Sequence, residues 1–247
     1  MRYAVFSDVH GNQEALDAVL SDAARQHPDA YLCLGDIVGY GPDPNGCVVR
    51  VRALGGRAVA GNHDVAATGD NGLDGFSSLA RTAIEWTRGV LTGDAVQFLS
   101  ALPLRVETPA FLAVHASPRD PIDEYILDLP TALAVFAGSD FRTCLVGHTH
   151  IPTAFALDRD GRLCTQPLPP DEPVRLSGAS RYIVNSGSVG QPRDGDPRAS
   201  YLLLDTPDSD ASVVTLRRLE YPVATTQAKM ADRGLPEILA RRLASGL

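Results

Sequence analysis

The chain has 247 residues, 44% of them hydrophobic, which is enough for one large α/β domain with a packed core. Its formal net charge is −8 and no basic cluster is present, which argues against binding of long nucleic acids. Residues 1–6 are too short an apolar stretch for a signal peptide, and no run reaches the roughly eighteen apolar residues of a membrane span. We therefore expect a cytoplasmic protein without membrane contact.

The four cysteines, Cys33, Cys47, Cys144 and Cys164, show no CxxC spacing. Cys33 and Cys144 lie inside apolar runs that are typical of buried strands. We expect buried free thiols in a reducing compartment, rather than a disulfide framework or a cysteine-based zinc site.

The first sixty residues repeat one arrangement, in which an apolar strand leads through a polar loop to a helix. Strands are predicted at Arg2–Phe6, 30–34 and 57–60, and helices directly after Asn12 and at 45–54. Asn12 is a suitable N-cap, and apolar residues follow it at helical spacing. The polar loops therefore lie between strand and helix, where open α/β sheets place their ligand sites.

The pattern loosens after this point and then becomes antiparallel. A loop is predicted at 70–75, helices at Ser78–Val90, 94–101 and 129–136, and strands at 104–107, 110–114 and 144–146. Beyond His150, Thr153–Leu157 and 162–165 flank a hairpin turn, with further strands at 182–184, 200–204 and 212–221 and a helical tail at 236–244. We expect one domain over residues 1–247, with parallel strands first and an antiparallel meander after them.

Five of the predicted strands end in side chains that can bind a metal ion. These are Asp8 and His10, Asp36, Asn62 and His63, His115, and finally His148 and His150. The carboxyl ends of parallel strands share one sheet edge, so the side chains should converge. The donor set suits borderline divalent ions such as Mn, Fe or Zn, and it exceeds the shell of one ion. Two ions about 3.5–4 Å apart are typical of phosphoester hydrolysis.

The same residues form the motifs D-x-H, G-D, G-N-H-[D/E], H and G-H-x-H, complete and in order between residues 8 and 150. With these motifs the sequence resembles the calcineurin-like metallophosphoesterases. The resemblance implies an α/β fold, a four-layer α/β/β/α sandwich in which a mixed sheet packs against a more antiparallel one.

The resemblance also implies a role for each motif residue. One metal ion would be held by Asp8, His10, Asp36 and His150, and the other by Asp36, Asn62, His115 and His148, with Asp36 bridging the two. His63 would face the substrate and protonate the leaving alkoxide, or stabilise it as imidazolium. Asp64 is interpreted as a structural cap, because neighbouring side chains on an extended chain point apart.

Within the superfamily the chain looks similar to the small bacterial and archaeal phosphoesterases of about this length, the YfcE-like group. The segments that carry this likeness are 39–44, 115–121, 124–125 and 185–193, with Ala116 and Ser186 departing from the usual pattern. Protein Ser/Thr phosphatases and symmetrical dinucleoside-tetraphosphate hydrolases carry G-D-x-x-D-R-G after the bridging aspartate. Here Gly39-Tyr40-Gly41 stand at the end of that motif, so its Asp and its Arg are missing. Arg193 or Arg119 could supply the positive charge of that Arg.

We therefore predict a hydrolase that splits small phosphodiesters, including nucleotides, with two divalent ions, Mn ahead of Fe or Zn. Attack would come from hydroxide, since the ions lower the pKa of a bridging water. The alternatives are a phosphomonoesterase or protein Ser/Thr phosphatase and, from another class, an interaction scaffold of the kind found in a retromer subunit. That scaffold has a degraded metal site, whereas no ligand position is lost here. The sequence makes no prediction about the oligomeric state.

Overall fold

The computed structural model describes residues 1–69, 73–206 and 211–247. The strands are β1 Arg2–Phe6, β2 Ala30–Cys33, β3 Arg57–Ala58, β4 Arg105–Glu107, β5 Leu112–Val114, β6 Thr143–Val146, β7 Thr153–Leu157, β8 Leu163–Gln166, β9 Pro173–Leu176, β10 Arg181–Asn185, β11 Ala199–Asp205 and β12 Ser212–Leu219. The helices are α1 Gln13–Arg25, α2 Pro44–Ala53, α3 Asn62–Thr68, α4 Ser78–Val90, α5 Gly93–Ser100, α6 Leu129–Gly138, α7 Val223–Asp232 and α8 Glu237–Arg242.

Alternation along the strands builds the layers. Val5 and Leu145 point from the two sheets into a shared apolar core. Phe6, the neighbour of Val5, lies on the opposite face and packs against α1 and α2. Cys144 lies likewise on the outer face of the second sheet, against α6. Because successive side chains point to opposite faces, two sheets between two helical layers bury both faces. The predicted four-layer α/β/β/α sandwich is confirmed.

Each sheet has six strands in the described part of the chain. The first has the order β3-β2-β1-β11-β12-β9, and the second β4-β5-β6-β10-β7-β8. Strands β1, β2 and β3 run parallel, as do β5, β6 and β10. The ligand-bearing ends thus belong to two sheets, rather than to the single shared edge that parallel strands alone would predict.

The strands after His150 pair mostly antiparallel, as predicted, in β7–β8, β7–β10, β11–β12 and β9–β12. They do not form one meander, because β10 also pairs parallel with β6, and β11 and β12 cross to the first sheet beside β1. The physical reason lies in β11, where six of seven residues are buried. Both faces of such a strand must pack against other elements, and a position between β1 and β12 inside the first sheet allows this.

Most predicted elements occur within a few residues of their expected bounds, and Ser78–Val90 agrees fully. Helices α3 and α7 and strand β9 are not among the predicted elements. The first three residues of the predicted loop at 70–75 lie outside the described residues. Cys33 and Cys144 are buried, as predicted, and so is Cys47, whereas Cys164 is exposed. No helix in the described residues is long and apolar enough to cross a membrane.

A buried carboxylate, Asp22, ties α1 to the first sheet. It accepts hydrogen bonds from the Tyr201 hydroxyl at 2.7 Å and from Arg217 Nε at 3.2 Å, and Arg25 Nη2 lies 2.8 Å away. Burial alone would raise the pKa of Asp22, but the hydrogen bonds from Arg217 and Tyr201 outweigh it, so its pKa lies below the usual value. The ionised form therefore stabilises the fold.

Asp22→Asn should lower the free energy of unfolding by about 2 kcal/mol at pH 7, because it leaves Arg217 without its buried partner. The stabilisation from Asp22 is complete above the unfolded carboxyl pKa and is lost as pH falls through the lower folded value. The difference between wild type and variant should therefore shrink below about pH 4. Urea unfolding at several pH values measures it.

Asp17→Asn is the matched control on the same helix. Asp17 pairs with Arg50 at the surface, and exposed pairs contribute about 0–1 kcal/mol. Equal losses for the two variants would mean that the Asp22 cluster adds nothing beyond a surface ion pair.

Candidate metal centre

The seven predicted ligands and His63 gather between the ends of the two sheets. Asp8 and His10 follow β1, Asp36 follows β2, and Asn62 begins α3. The second sheet brings His115 after β5 and the pair His148 and His150 after β6. All seven side chains are buried, with at most 9% of the residue surface exposed.

Left-handed backbone conformations aim several of these side chains. Among the described non-glycine residues, the predicted ligands with positive φ are Asp8 (55°), His10 (49°), Asp36 (52°), His148 (64°) and His150 (62°). Each such residue costs about 1–2 kcal/mol and persists only where its surroundings fix it. Cross-loop bonds supply that restraint, such as Asp8 N to Gly35 O at 3.0 Å and His10 N to Asp36 O at 2.9 Å. Concentrated strain of this kind is typical of functional sites.

One donor group consists of Asp8, His10, Asp36 and His150, whose ligand atoms lie within 4.8 Å of one another. His150 Nε2 lies 3.1 Å from His10 Nε2 and 3.3 Å from Asp8 Oδ1. Metal–nitrogen and metal–oxygen bonds of about 2.0–2.2 Å place neighbouring ligand atoms about 3 Å apart. The spacing therefore suits one small divalent ion.

The second group shares Asp36 with the first and adds His115 and His148. Asp36 Oδ2 lies 3.5 Å from His10 Nε2 and 3.4 Å from His115 Nε2, and His148 Nδ1 lies 3.1 Å from His115 Nε2. One carboxylate oxygen thus faces both groups. The other oxygen accepts the backbone N–H of His63 at 2.8 Å, which fixes the carboxylate plane.

Backbone carbonyl groups orient all four histidine rings. His10 Nδ1 contacts Val38 O at 3.2 Å, His115 Nδ1 contacts Leu34 O at 2.8 Å, and His150 Nδ1 contacts Gln191 O at 2.5 Å. His148 is reversed: its Nε2 contacts Asp123 O at 3.2 Å. A carbonyl can only accept, so each of these nitrogens carries the proton. The opposite nitrogen faces the centre and offers its lone pair whenever the ring is neutral, as in metal-binding histidines.

Asn62 supplies the test of whether the donors fit a metal ion. Its Oδ1 is buried and has no hydrogen-bond partner among the described residues. Leaving a buried amide oxygen unpaired costs about 1–3 kcal/mol, and a divalent ion would satisfy it. The carboxylate, imidazole and amide donors therefore fit the dinuclear arrangement that the sequence motifs imply.

Two glycines leave room for the carboxylates. A Cβ at Gly61 would overlap Asp36 Oδ1, and one at Gly147 would overlap Ser7 Oγ and approach Asp8 Oδ2 to 2.7 Å. Asn185 holds the loop of Gly147 by donating to its carbonyl oxygen at 2.5 Å. The G-N-H and G-H-x-H motifs therefore require glycine at these positions, because a side chain there would collide with the neighbouring residues.

His63 lies in the first turn of α3, next to both donor groups. Its ring packs against Tyr40, Phe76 and His10 with centroid distances of 4.5–5.2 Å, and its Nδ1 has no partner among the described residues. Asp64, as predicted, does not support it. The Asp64 carboxylate accepts backbone N–H groups, two from the loop after Asp36 and one from Gly61.

The metal centre opens into a cavity of about 850 Å³, lined by Asn62, His63 and His148 among others. Arg193 also lines it and donates to the Tyr40 hydroxyl at 3.3 Å and to Gln191 Oε1 at 3.2 Å. Arg119 lies elsewhere: it pairs with Glu124 and does not line this cavity. Of the two proposed arginines, the structure brings only Arg193 to the site. Phe76 and Arg242 also line the cavity, and neither belongs to a sequence motif.

Burial and neighbouring charges set the protonation of the metal-free centre. Burial lowers the pKa of His63 to about 4 and that of His148 to about 3, and it raises the pKa of Asp8 to about 7. His115 differs, because Asp36 outweighs burial and raises its pKa to about 9. Asp36 keeps a pKa well below its usual value, since His115, His63 and His10 overcome the cost of its burial. The bridging position therefore holds a carboxylate at neutral pH.

Gly61→Ala should displace Asp36 and reduce the Mn²⁺ retained after dialysis to less than one ion per chain, measured by mass spectrometry. Gly89→Ala is the control, because a Cβ there meets no atom within 4 Å and alanine favours the helix by about 1 kcal/mol. Circular dichroism verifies that both variants are folded. Two ions retained by folded Gly61→Ala would show that Asp36 is not confined as described.

Comparison with known proteins agrees with this geometry. The family model for the calcineurin-like phosphoesterase superfamily domain matches residues 1–209. The chain is 39% identical to an uncharacterized protein of Methanocaldococcus jannaschii over 249 residues, covering 98% of this chain and 97% of that protein. A metallophosphoesterase from Sphaerobacter thermophilus is 45% identical with a TM-score of 0.87, covering 100% of this chain and 99% of that one. A hypothetical protein from Pyrococcus horikoshii shares the fold, with 21% identity, a TM-score of 0.80 and coverage of 100% and 98%. The chain belongs to the calcineurin-like phosphoesterase superfamily.

Proposed function

We propose that this chain hydrolyses small phosphodiesters, including nucleotides, with the help of two divalent ions. Superfamily membership supports a hydrolase that acts on phosphoesters. The observation that carries the proposal is the position of Asp36 Oδ2, which faces His10 and His115 at 3.5 and 3.4 Å, between two donor groups. A carboxylate shared in this way is typical of dinuclear hydrolytic sites.

The two donor groups would hold the ions as the motifs imply. Asp8, His10, Asp36 and His150 would bind one ion, and Asp36, Asn62, His115 and His148 the other. Bound divalent ions lower the pKa of water and neutralise charge on phosphoryl oxygens. Mn²⁺ is our first choice, with Fe or Zn as alternatives, since mixed carboxylate, imidazole and amide donors suit all three. These assignments and a cytoplasmic location remain predictions.

His63 would serve the leaving group. Burial and the charge of Arg193 keep its pKa near 4, so its ring is neutral in the empty site at pH 7. An anionic phosphate beside the ring would raise this pKa, because a nearby opposite charge favours the protonated form. Protonation on substrate binding would let His63 donate to the departing alkoxide, a contribution of about 10²- to 10⁴-fold.

The charges of the cavity favour a diester over a monoester. A phosphomonoester brings nearly two negative charges at neutral pH, and the Asp and Arg that serve this purpose in the protein-phosphatase motif are replaced by Gly39-Tyr40-Gly41. Arg193 supports the alternative of a phosphomonoesterase, because it is a cation beside the donors. The scaffold alternative has less support, since each of the seven motif residues is present and buried at this site.

Asp36→Asn should cause the largest loss of any single ligand change, more than about 100-fold in kcat/KM, because it removes the charge shared by two cations. Asp8→Asn, which affects one group only, is the comparison. Turnover of bis(p-nitrophenyl) phosphate and bound metal per chain are the measurements. Near-normal turnover in Asp36→Asn alongside an inactive Asp8→Asn would refute the bridging assignment.

The substrate class is tested by kcat/KM for bis(p-nitrophenyl) phosphate, p-nitrophenyl phosphate and a phosphoserine peptide, using Mn²⁺-reconstituted protein. We expect the diester to be preferred by about tenfold or more. Arg193→Ala should impair the monoester more than the diester, because the second negative charge loses its partner. A preference of the wild type for the phosphopeptide would overturn the diester proposal.

A further inference from the structure

The cavity beside the metal centre is much larger than a phosphoryl group needs. Its volume of about 850 Å³ lies in the range of sites that enclose whole drug-sized ligands, about 300–1,000 Å³. The side chains Tyr40, Phe76 and Tyr125 line it. The ring of Tyr125 stacks on His148 with a centroid distance of 4.0 Å, and the residue is 47% exposed. The space therefore suits a substrate with a planar group attached to the phosphate.

Two arginines in this cavity have no carboxylate partner among the residues that the structure describes. Within the described part of the chain, no carboxylate oxygen lies within 4.0 Å of the guanidinium of Arg193 or Arg242, although Asp123 lines the same cavity. The chain has 30 acidic and 22 basic residues, so carboxylates are plentiful. Paired arginines nearby include Arg241, which lies 2.9 Å from Glu237.

The two guanidinium groups occupy different parts of the cavity. The charge of Arg193 lowers the pKa of His10, His63 and His150, so it lies close to the donor groups. Arg242 ends α8 and is not among the main causes of the pKa shift of any of these histidines, whereas Arg193 is. The described residues show no hydrogen bond or ion pair between its guanidinium and the donor groups, so Arg242 adds a second positive charge to the cavity, apart from that of Arg193.

We propose that Arg242 determines specificity by binding a second phosphate of the substrate, remote from the ester phosphorus at the metal centre. Guanidinium groups bind phosphate oxygens with two parallel N–H bonds. A planar group between the two phosphates would meet the aromatic side chains. The preferred substrate class is thus a nucleotide diester that carries an additional phosphate. This inference rests on the proposed function.

The position of Arg242 has one other physical explanation. Cations near a helix C-terminus stabilise the helix through its dipole, and Arg242 is the last residue of α8. Arg241 shares that position but is exposed and paired with Glu237. Arg241→Gln therefore removes the same charge from the same turn without touching the cavity, which makes it the matched control.

The test uses two chromogenic diesters that differ by one phosphate: the 5′-(p-nitrophenyl phosphate) of thymidine, and the same compound with a 3′-phosphate. Hydrolysis breaks the P–O bond to nitrophenol, and water supplies the oxygen left on phosphorus. With Mn²⁺-reconstituted wild type, we expect kcat/KM to be about tenfold higher for the 3′-phosphorylated compound. Arg242→Gln should bring this ratio close to one, and Arg241→Gln should leave it as in wild type.

A binding measurement separates this inference from the proposed function. Thymidine 3′,5′-bisphosphate should raise the Tm of chelator-treated and of Mn²⁺-reconstituted protein more than thymidine 5′-phosphate does, and Arg242→Gln should abolish the difference. No hydrolysis of either diester, with the Tm difference present, would refute the function and keep the anion site. Equal rates and equal Tm shifts for the paired compounds in wild type would refute the anion site. The anion site would also be refuted if Arg241→Gln lowered the ratio of the two kcat/KM values as much as Arg242→Gln does.

Discussion

The centre depends on keeping one buried carboxylate ionised. Asp36 is 1% exposed, and burial of a carboxylate normally favours its protonated form. Its oxygens instead face histidines of both donor groups and a backbone N–H, and its pKa stays well below the usual value. The surrounding architecture supplies these partners. The two sheets bring histidines from opposite sides, and the glycine before Asn62 leaves the space in which the carboxylate lies.

Carbonyl groups from loops do the remaining positioning. Each of the four histidine rings at the donor groups is held by a main-chain oxygen, from Leu34, Val38, Asp123 or Gln191. A backbone oxygen has the same chemistry whatever the side chain, so loop shape rather than loop sequence sets the ring orientations. The cavity wall adds contacts of its own, because Tyr125 stacks on His148 and Phe76 packs against His63.

The donor residues could be predicted because Asp, Asn and His side chains follow successive strands in the order of the family motifs. The core strands could be predicted because their apolar runs are long. Helix α3 was not, since NHDVAAT is short and polar and its start is determined by contacts with Asp36. The local sequence does not predict that β11 lies between β1 and β12. The pairing of a strand depends on which neighbours bury its two faces, and that is determined by the whole fold. Arg242 gave no signal, since only tertiary structure brings the last helix to the cavity.

The loop at residues 188–191 has a consequence for the order in which the site assembles. Ser188 Oγ donates to Asp8 O at 2.9 Å, Gly190 N donates to the same oxygen at 2.8 Å, and Gln191 O holds the ring of His150. A nascent chain that has just passed His150 therefore contains every donor but not the loop that orients the first and last of them. We expect the ions to be acquired after synthesis, by the folded protein, rather than by the growing chain on the ribosome.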